Sequence, residues 1–483
     1  MVGILTIDSP KSDSECWKHI DWKKAEAIVN RIQVRIVKAI KAGNKNKVRS
    51  LQRLLARSFA AKLKAVKRII SNRGRNTAGV DGVKWNTPAK RWKAVEEINR
   101  KDYKPQPLKR KYIPKSNGKK RPLSIPVMAD RAEQALEQSG LDPISEYTAD
   151  KHSYGFRKKR SVHDAIGACY NALRKKGSAD WILEGDIKGC FDNFDHQWML
   201  ENIPMNKNKL RMWLKAGYME EGSYYPTPTG TPQGGIISPI LANMVLDGLE
   251  TFLAKHFKKR DKVHFIRFAD DFVITGATKR ILEDKVMPLV KEFLRVRGLE
   301  LSETKTKISH INDGFDFLGF SVKKYKGKLL IKPAKSKVDG FIEKIRQIIK
   351  SNKSVKTRSL IYQLNPVIRG WGYFYRHVVS SQIFGELDHR IWETTWQWAK
   401  RRHPNKGKQW IKRKYYQHEG NRNWIFREKN DKMSLLLLSK IHIIRHVKIQ
   451  SNANPYDPDW DEYFKSRSLR QKGIFDQRLA TAI

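Results

Sequence analysis

The sequence predicts an α+β chain of several domains. Between about Asn76 and Phe320, short β-branched or aromatic runs alternate with helical patterns, while the segments before and after are helix-periodic and basic. At 483 residues and 40% hydrophobic content, the chain can bury several packed cores.

From Trp22 to Ile70, Leu51, Leu54, Leu55, Phe59, Leu63, Val66 and Ile70 recur at three- and four-residue spacing with lysine and arginine between them. That predicts a helical stripe packed on one side and positive on the other. Asn76–Gly82 (NTAGVDG) and Tyr103–Pro126 are rich in Gly or Pro and mark turns. Trp181–Ile187 reads as a buried strand that delivers Asp186 at its end, and Val263–Thr275 as a hairpin with Asp270 and Asp271 at its turn. Gly230–Asn243 reads as a loop opening an amphipathic helix. Ser336–Lys350 returns to helix, with Val338, Phe341, Ile342, Ile345 and Ile349 on one face, and Ile383, Leu387 and Ile391 mark another. Beyond His403-Pro404 the chain is basic and aromatic, a small tail domain. The expected boundaries are 1–75, 76–330, 331–403 and 404–483.

Lysine and arginine number 97 against 49 acidic residues, a formal net charge of +48. Self-repulsion of that size strains a compact fold unless a polyanion screens it, and nucleic acid fits so wide a footprint. Anionic membrane is the competing partner, but no apolar run approaches the ~20 residues that span a bilayer. Asp8, Asp13 and Glu15 near the N-terminus fit neither a secretory signal nor a transit peptide. Cys16, Cys169 and Cys190 form no CxxC pair, so idle buried thiols are expected, with neither a disulfide framework nor a multi-cysteine zinc site.

Two carboxylate sites stand out by position. Adjacent Asp270 and Asp271 repel each other, and a pair flanked by apolar strands is costly unless a divalent cation sits there. Oxygen ligands of this kind suit Mg²⁺. A lone Asp-Asp is more often a solvated hairpin turn, because aspartate is a common turn residue. The surroundings reverse that balance.

Phe268-Ala-Asp-Asp271 resembles the xxDD box of reverse transcriptases, and Asp186-Ile-Lys-Gly-Cys-Phe191-Asp192 resembles the box carrying their first catalytic aspartate, in the same chain order. Gly230-Thr-Pro-Gln233-Gly234-Gly235, between them, is similar to the family's PQG box. Tyr112–Pro126 is similar to its fingers segment and Ser153-Tyr-Gly-Phe-Arg157 to the block that follows it, and Gly298–Thr306 and Phe317-Leu-Gly-Phe320 to blocks downstream. The resemblance implies a right-hand polymerase, with fingers and palm followed by a helical thumb. It implies catalytic roles for Asp186, Asp270 and Asp271, with Ile187 beside them in the metal set, and two Mg²⁺ ions that activate a 3′-hydroxyl and steady pyrophosphate. Lys115 and Arg121 would grip the incoming deoxynucleoside triphosphate. Phe191 would block a ribose 2′-hydroxyl, Gln233 would lie along the nascent base pair, and Lys305 would donate a proton to pyrophosphate. Core packing for Phe191 and a solvated side chain for Lys305 stand as their alternatives.

Asn76-Thr-Ala-Gly79-Val-Asp81-Gly82, the basic N-terminal helices and Leu364–Tyr375 resemble group II intron proteins, whose thumb doubles as the maturase domain. The partners so implied are group II intron RNA, target DNA and its primer, with no membrane. The setting implied is a cytoplasmic, nucleoid-associated ribonucleoprotein, bacterial or organellar. Arg369-Gly-Trp371 and Arg401-Arg402 beside Trp396 and Trp398 are open to two readings: stacking on bases, or helix packing. Many relatives end in a zinc-dependent HNH endonuclease with paired cysteines. Nothing after Cys190 contains a cysteine, so that domain and its zinc are not expected. An RNA-binding maturase with a decayed polymerase and a domesticated polymerase without an intron are the competing functions. Intact Asp186, Asp270, Asp271 and Gln233 weigh against decay.

Overall fold

The computed structural model describes residues 4–6, 12–114, 118 and 120–473. The chain divides into two compact units. The first comprises Met1–Ala165, Ile182–Ile308 and Ile449–Ser468, and the second Ile166–Trp181, Ser309–Lys448 and Leu469–Ile483.

In the first unit, the apolar stripe expected between Leu51 and Ile70 is divided between the helices Lys45–Arg57 and Phe59–Ser71, which follow Trp22–Lys41. Ser58 between them is extended (φ −65°, ψ 123°), so the helical register restarts and the stripe cannot run through. Leu51, Leu55, Leu63 and Val66 are buried, whereas Leu54 is left 46% exposed. The buried faces share one core with Trp92, Ala132 and Leu136. The last two belong to the long helix Met128–Thr148, which is buried along most of its length. All three cysteines are buried, as expected.

The strands in chain order are β1 (Leu108–Pro114), β2 (Lys120–Ile125), β3 (Trp181–Gly185), β4 (Tyr218–Glu220), β5 (Ser223–Tyr225), β6 (Phe265–Phe268), β7 (Asp271–Gly276) and β8 (Lys307–His310). One sheet runs β2–β1–β4–β5, with β1 antiparallel to β2 and parallel to β4. In the other, β7 lies between β6 and β3. Ile182 and Leu183 of β3 are fully buried, as befits a strand covered on both faces. The helix after the Gly230 loop, Ser238–Leu246, is buried nearly all round rather than amphipathic. It packs against Met128–Thr148 and also meets β6 through Asn243 and Arg267.

In the second unit, β9 (Phe315–Phe317), β10 (Phe320–Tyr325) and β11 (Lys328–Pro333) form an antiparallel meander. The helices Lys335–Ser351, Thr357–Tyr375 and Ser381–Arg402 follow, with Phe341, Ile345, Leu364, Phe384, Leu387 and Ile391 buried among them. Trp371 stacks on Phe341 at 4.6 Å and contacts Tyr375 and Phe384. Trp398 is buried, and its Nε1 donates to the Asn352 carbonyl at 2.8 Å. Trp396 packs on Trp392 and Trp424. These tryptophans are helix-packing residues. The tail after His403 begins with the helix Lys408–Tyr415 and a hairpin of β12 (Tyr416–Glu419) and β13 (Arg422–Phe426). No helix among the described residues is long and apolar enough to cross a membrane.

Candidate active site

Asp186 stands where β3 ends, and Gly185 explains how close it comes to the hairpin. A Cβ on Gly185 would lie 2.1 Å from the Phe272 ring, so only glycine lets β3 and β7 touch there. The Asp186 carbonyl accepts from the Ser302 amide at 2.8 Å. Buried Ile187 bridges Leu301, and Lys188 N–H donates to the Glu300 carbonyl at 2.9 Å. These bonds bring Lys305 alongside, its Nζ 3.0 and 3.2 Å from the two Asp186 carboxylate oxygens.

The register Phe268 opposite Asp271 leaves Ala269 and Asp270 as the turn between β6 and β7. Ala269 takes φ 59°, a left-handed conformation that side chains other than glycine rarely adopt. Asp270 is therefore the turn residue, and Asp271 opens β7. The Asp271 carboxyl is pushed up to about 6 by its partial removal from water, then by the charges of Asp270 and Asp186, with Lys305 opposing. Burial, and next Asp270, also push the nearby Cys190 thiol far up. The charges of Asp186 and Asp270 thus bear on Asp271, and carboxylate oxygens of this kind suit a hard divalent cation.

Beneath the turn lies a support that motif reading did not find. Arg267, 1% exposed in β6, ion-pairs with Asp247, and its Nη1 donates to Asn243 Oδ1 and to the Ala269 carbonyl, each at 3.1 Å. Asn243 Nδ2 donates to the Gly155 carbonyl at 2.9 Å. A Cβ on Gly155 would come within 2.3 Å of the Ala269 amide nitrogen and 2.9 Å of the Phe268 carbonyl carbon. The Ser153–Arg157 segment and the helix Ser238–Leu246 therefore meet directly under the residue before Asp270. The available signal was an arginine inside the otherwise apolar Phe265-Ile-Arg-Phe268 run, a costly burial unless paired.

A second loop closes on the segment after Asp186. Gly230 N–H donates to the Phe194 carbonyl at 2.8 Å and Thr231 N–H to the Phe191 carbonyl at 2.7 Å. Gly230 (φ 81°) has no room for a Cβ, which would meet the Asp192 carbonyl oxygen at 2.5 Å. The Gln233 carbonyl accepts from Ser124 of β2 at 2.7 Å, and its Nε2 lies 3.3 Å from Asp192 Oδ1. Phe191 is half-buried, edge-on to fully buried Phe194 with ring centroids 6.0 Å apart. Arg121 is exposed on β2, opposite Ile113. Lys115 lies outside the described residues.

Residues 113–322 match the family profile "Reverse transcriptase (RNA-dependent DNA polymerase)", and residues 17–98 match "N-terminal domain of reverse transcriptase". Protein YkfC of Escherichia coli K12 is 33% identical over 295 residues, covering 52% of this chain and 77% of that protein. Residues 338–416 match "Group II intron, maturase-specific domain". The chain belongs to the group II intron reverse transcriptase/maturase family.

The group II intron-encoded protein LtrA of Lactococcus lactis is 30% identical to this reverse transcriptase over 367 residues, covering 60% of the chain and 61% of LtrA. The chain thus spans about three fifths of that relative's length. Maturase-like protein 1 of Euglena gracilis is 23% identical over 369 residues, covering 74% of the chain and 76% of its own length. In this reverse transcriptase, residues 113–322 take in Asp186, Asp270, Asp271 and the Arg267 support, while the aromatic core around Trp371 lies within the maturase match.

Proposed function

We propose that this chain is an RNA-directed DNA polymerase that also binds its intron RNA as a maturase, promoting splicing and intron mobility by target-primed reverse transcription. The observation that carries the polymerase half is that β3, ending at Asp186, lies beside β7, which Asp271 opens and whose turn with β6 carries Asp270. Asp186, the adjacent Ile187, Asp270 and Asp271 would hold Mg²⁺, and three carboxylates suffice for two ions. When bound, the metal activates a primer 3′-hydroxyl and offsets charge on the leaving pyrophosphate.

The chain's own residues do the rest. Lys305, paired with Asp186 at 3.0 Å, stands where its ammonium can move from carboxylate to pyrophosphate and give up a proton there. Phe191, backed by Phe194, excludes a 2′-hydroxyl by its bulk. Gln233, pinned to β2 through its carbonyl, lies along the new base pair, and Arg121 with Lys115 takes the triphosphate. Asp270→Ala should cost primer extension on RNA templates on the order of a thousandfold or more, because the carboxylates hold the charge that stabilises phosphoryl transfer. RNA binding should be kept. Undiminished extension by that variant would falsify the assignment.

For the maturase half, each unit offers its own cationic surface. In the first, a groove of about 1690 Å³ is bordered by Arg49, Arg53, Arg57, Arg100, Lys101 and Lys104. Lys62 reaches the same groove, and its ammonium is pulled down first by burial and also by the nearby Lys209 and Arg100. Lys64 and Arg68 line a different cavity, and Lys67 sits 4.1 Å over the Trp22 ring. In the second unit, the helix Thr357–Tyr375 exposes Tyr362 (70%) and Tyr373 (47%) at a spacing that shares a face with Arg358 and Arg369. Cations interleaved with exposed rings suit phosphates and bases. Acceleration of splicing of the cognate intron RNA at low magnesium tests this half, and no acceleration rejects it. Target DNA, primer and deoxynucleoside triphosphates complete the partners of this cytoplasmic ribonucleoprotein.

A further inference from the structure

The first unit contains a cavity of about 330 Å³ that the polymerase chemistry does not use. It is lined by Lys64 and Arg68 of the helix Phe59–Ser71, by Gln138 and Asp142 of the helix Met128–Thr148, and by Phe156 and Lys158. Its size falls within the ~300–1,000 Å³ of small-molecule sites.

Phe156 has φ 57°, a conformation that residues other than glycine rarely adopt, yet the residue is 56% exposed. Burial of that ring therefore does little to offset the strain. The neighbours fix the backbone: Gly155 packs under Ala269, and Arg157 pairs with buried Glu146 at 2.7 Å. The consequence is an aromatic face held toward solvent at the rim of a cationic cavity. Strain kept in this way is a mark of functional positions.

Gln138 is 9% exposed; its Nε2 donates to Asp142 Oδ1 at 3.1 Å, and its Oε1 has no hydrogen-bond partner. An unpaired buried acceptor is costly unless something donates to it. Lys158 Nζ sits 4.2 Å over the Tyr456 ring. Its ammonium is pulled down by burial and by repulsion from Lys64 and Arg68, with Asp142 opposing. Arg68 has no carboxylate in ion-pair range among the described residues. The cavity thus offers a stacking ring, an open acceptor and the unpaired Arg68, beside Lys64, which pairs with Glu26 at 3.6 Å, and Lys158, which faces Asp142.

We infer that this cavity takes up one unstacked nucleotide, its base on Phe156, a base N–H at Gln138 Oε1 and its phosphate among Arg68, Lys64 and Lys158. The inference rests on the reading that RNA is the partner, and it adds a nucleotide-sized site away from the metal carboxylates.

The test is photolabelling of the full chain with 8-azidoadenosine 5′-monophosphate in EDTA, which withholds metal from the polymerase site, followed by peptide mapping. Label is expected on peptides containing Phe156 or Tyr456. It should fall about ten- to a hundredfold in Phe156→Ala, the range one lost base–aromatic stack accounts for. Phe156→Tyr, which keeps the ring, should retain labelling, as should Asp270→Ala. Competition by an RNA hairpin with one bulged nucleotide, but not by a perfect duplex, would identify RNA as the source of the nucleotide. Competition by free adenosine monophosphate alone would assign the site to free nucleotide. Equal labelling of Phe156→Ala and the parent, or label confined to peptides containing Asp186 or Asp270, would overturn the inference. Filter binding of intron RNA is measured beside it: RNA retention without cavity labelling sinks the cavity alone, whereas loss of RNA retention sinks the maturase reading.

Discussion

Arg267→Met removes a guanidinium that is almost wholly buried and whose ion-pair partner, Asp247, is 7% exposed. Breaking such a pair strands a charge in the interior and costs about 3–5 kcal/mol. The Ala269 carbonyl and Asn243 Oδ1 also lose their donor, though these effects overlap and do not add. The Asp247 carboxyl already stands above the usual range because burial outweighs the pull of Arg267, and it would rise further in the variant. A carboxyl raised in the folded state holds its proton there, so stability is kept at low pH and falls as pH climbs from the unfolded value, ~3.9, toward the folded one. Thermal melting should therefore show a deficit in Arg267→Met that is larger at about pH 8 than at about pH 5. Adding Asp247→Asn, which abolishes the stranded charge, should recover part of it. A double variant no more stable than Arg267→Met, or a deficit independent of pH, would refute the account of a charge stranded beneath the Ala269–Asp270 turn.

Gly155→Ala should depress primer extension far more than template binding, because both atoms its Cβ would strike are backbone of the Phe268–Ala269 peptide; equal loss of both would point to general misfolding. Phe191→Val should incorporate ribonucleotides much better than the parent while deoxynucleotide use falls modestly, and unchanged sugar discrimination in steady-state kinetics would return Phe191 to a packing role. Reversing charge at Lys64, Lys67 and Arg68 should weaken intron RNA binding and flatten its salt dependence while extension on an unstructured template survives. An unaltered salt slope would exclude these residues from the RNA contact.

The parts of the site that were legible in the sequence are those encoded locally. An apolar strand ending in Asp186 and a hairpin carrying Asp270 and Asp271 each announce themselves within a dozen residues. The break at Ser58 was not legible, because a single extended residue interrupts two compatible periodicities without a proline or glycine to mark it. Nor was the fate of Trp371. Aromatics beside cations fit a base-stacking face and a helix interface equally well until Phe341 and Phe384 are brought to the ring from other helices. Arg267 is marked in the sequence only as a cation inside an apolar run. Its partners Asp247 and Asn243 lie about twenty residues upstream, and only packing shows that they meet it.

The return of residues 449–468 to the first unit has a consequence for how this protein is made. Asp164, fully buried, accepts from the Ile449 amide and from Arg467 Nη2, each at 2.7 Å, and Arg160 Nη2 donates to the carbonyls of Ser451 and Ala453. These bonds join residues roughly three hundred apart in the chain, so they form only once residues 449–468 have been made; before that, Ser161 N–H and Oγ donate to Asp164 at 2.9 Å and Arg160 pairs with Glu146. A chain broken off before residue 449 lacks the Ile449 and Arg467 donors to Asp164, even though Asp186, Asp270 and Asp271 are already present. Fragments cut at the maturase boundary therefore lose buried contacts of the first unit and should be less stable stand-ins for it.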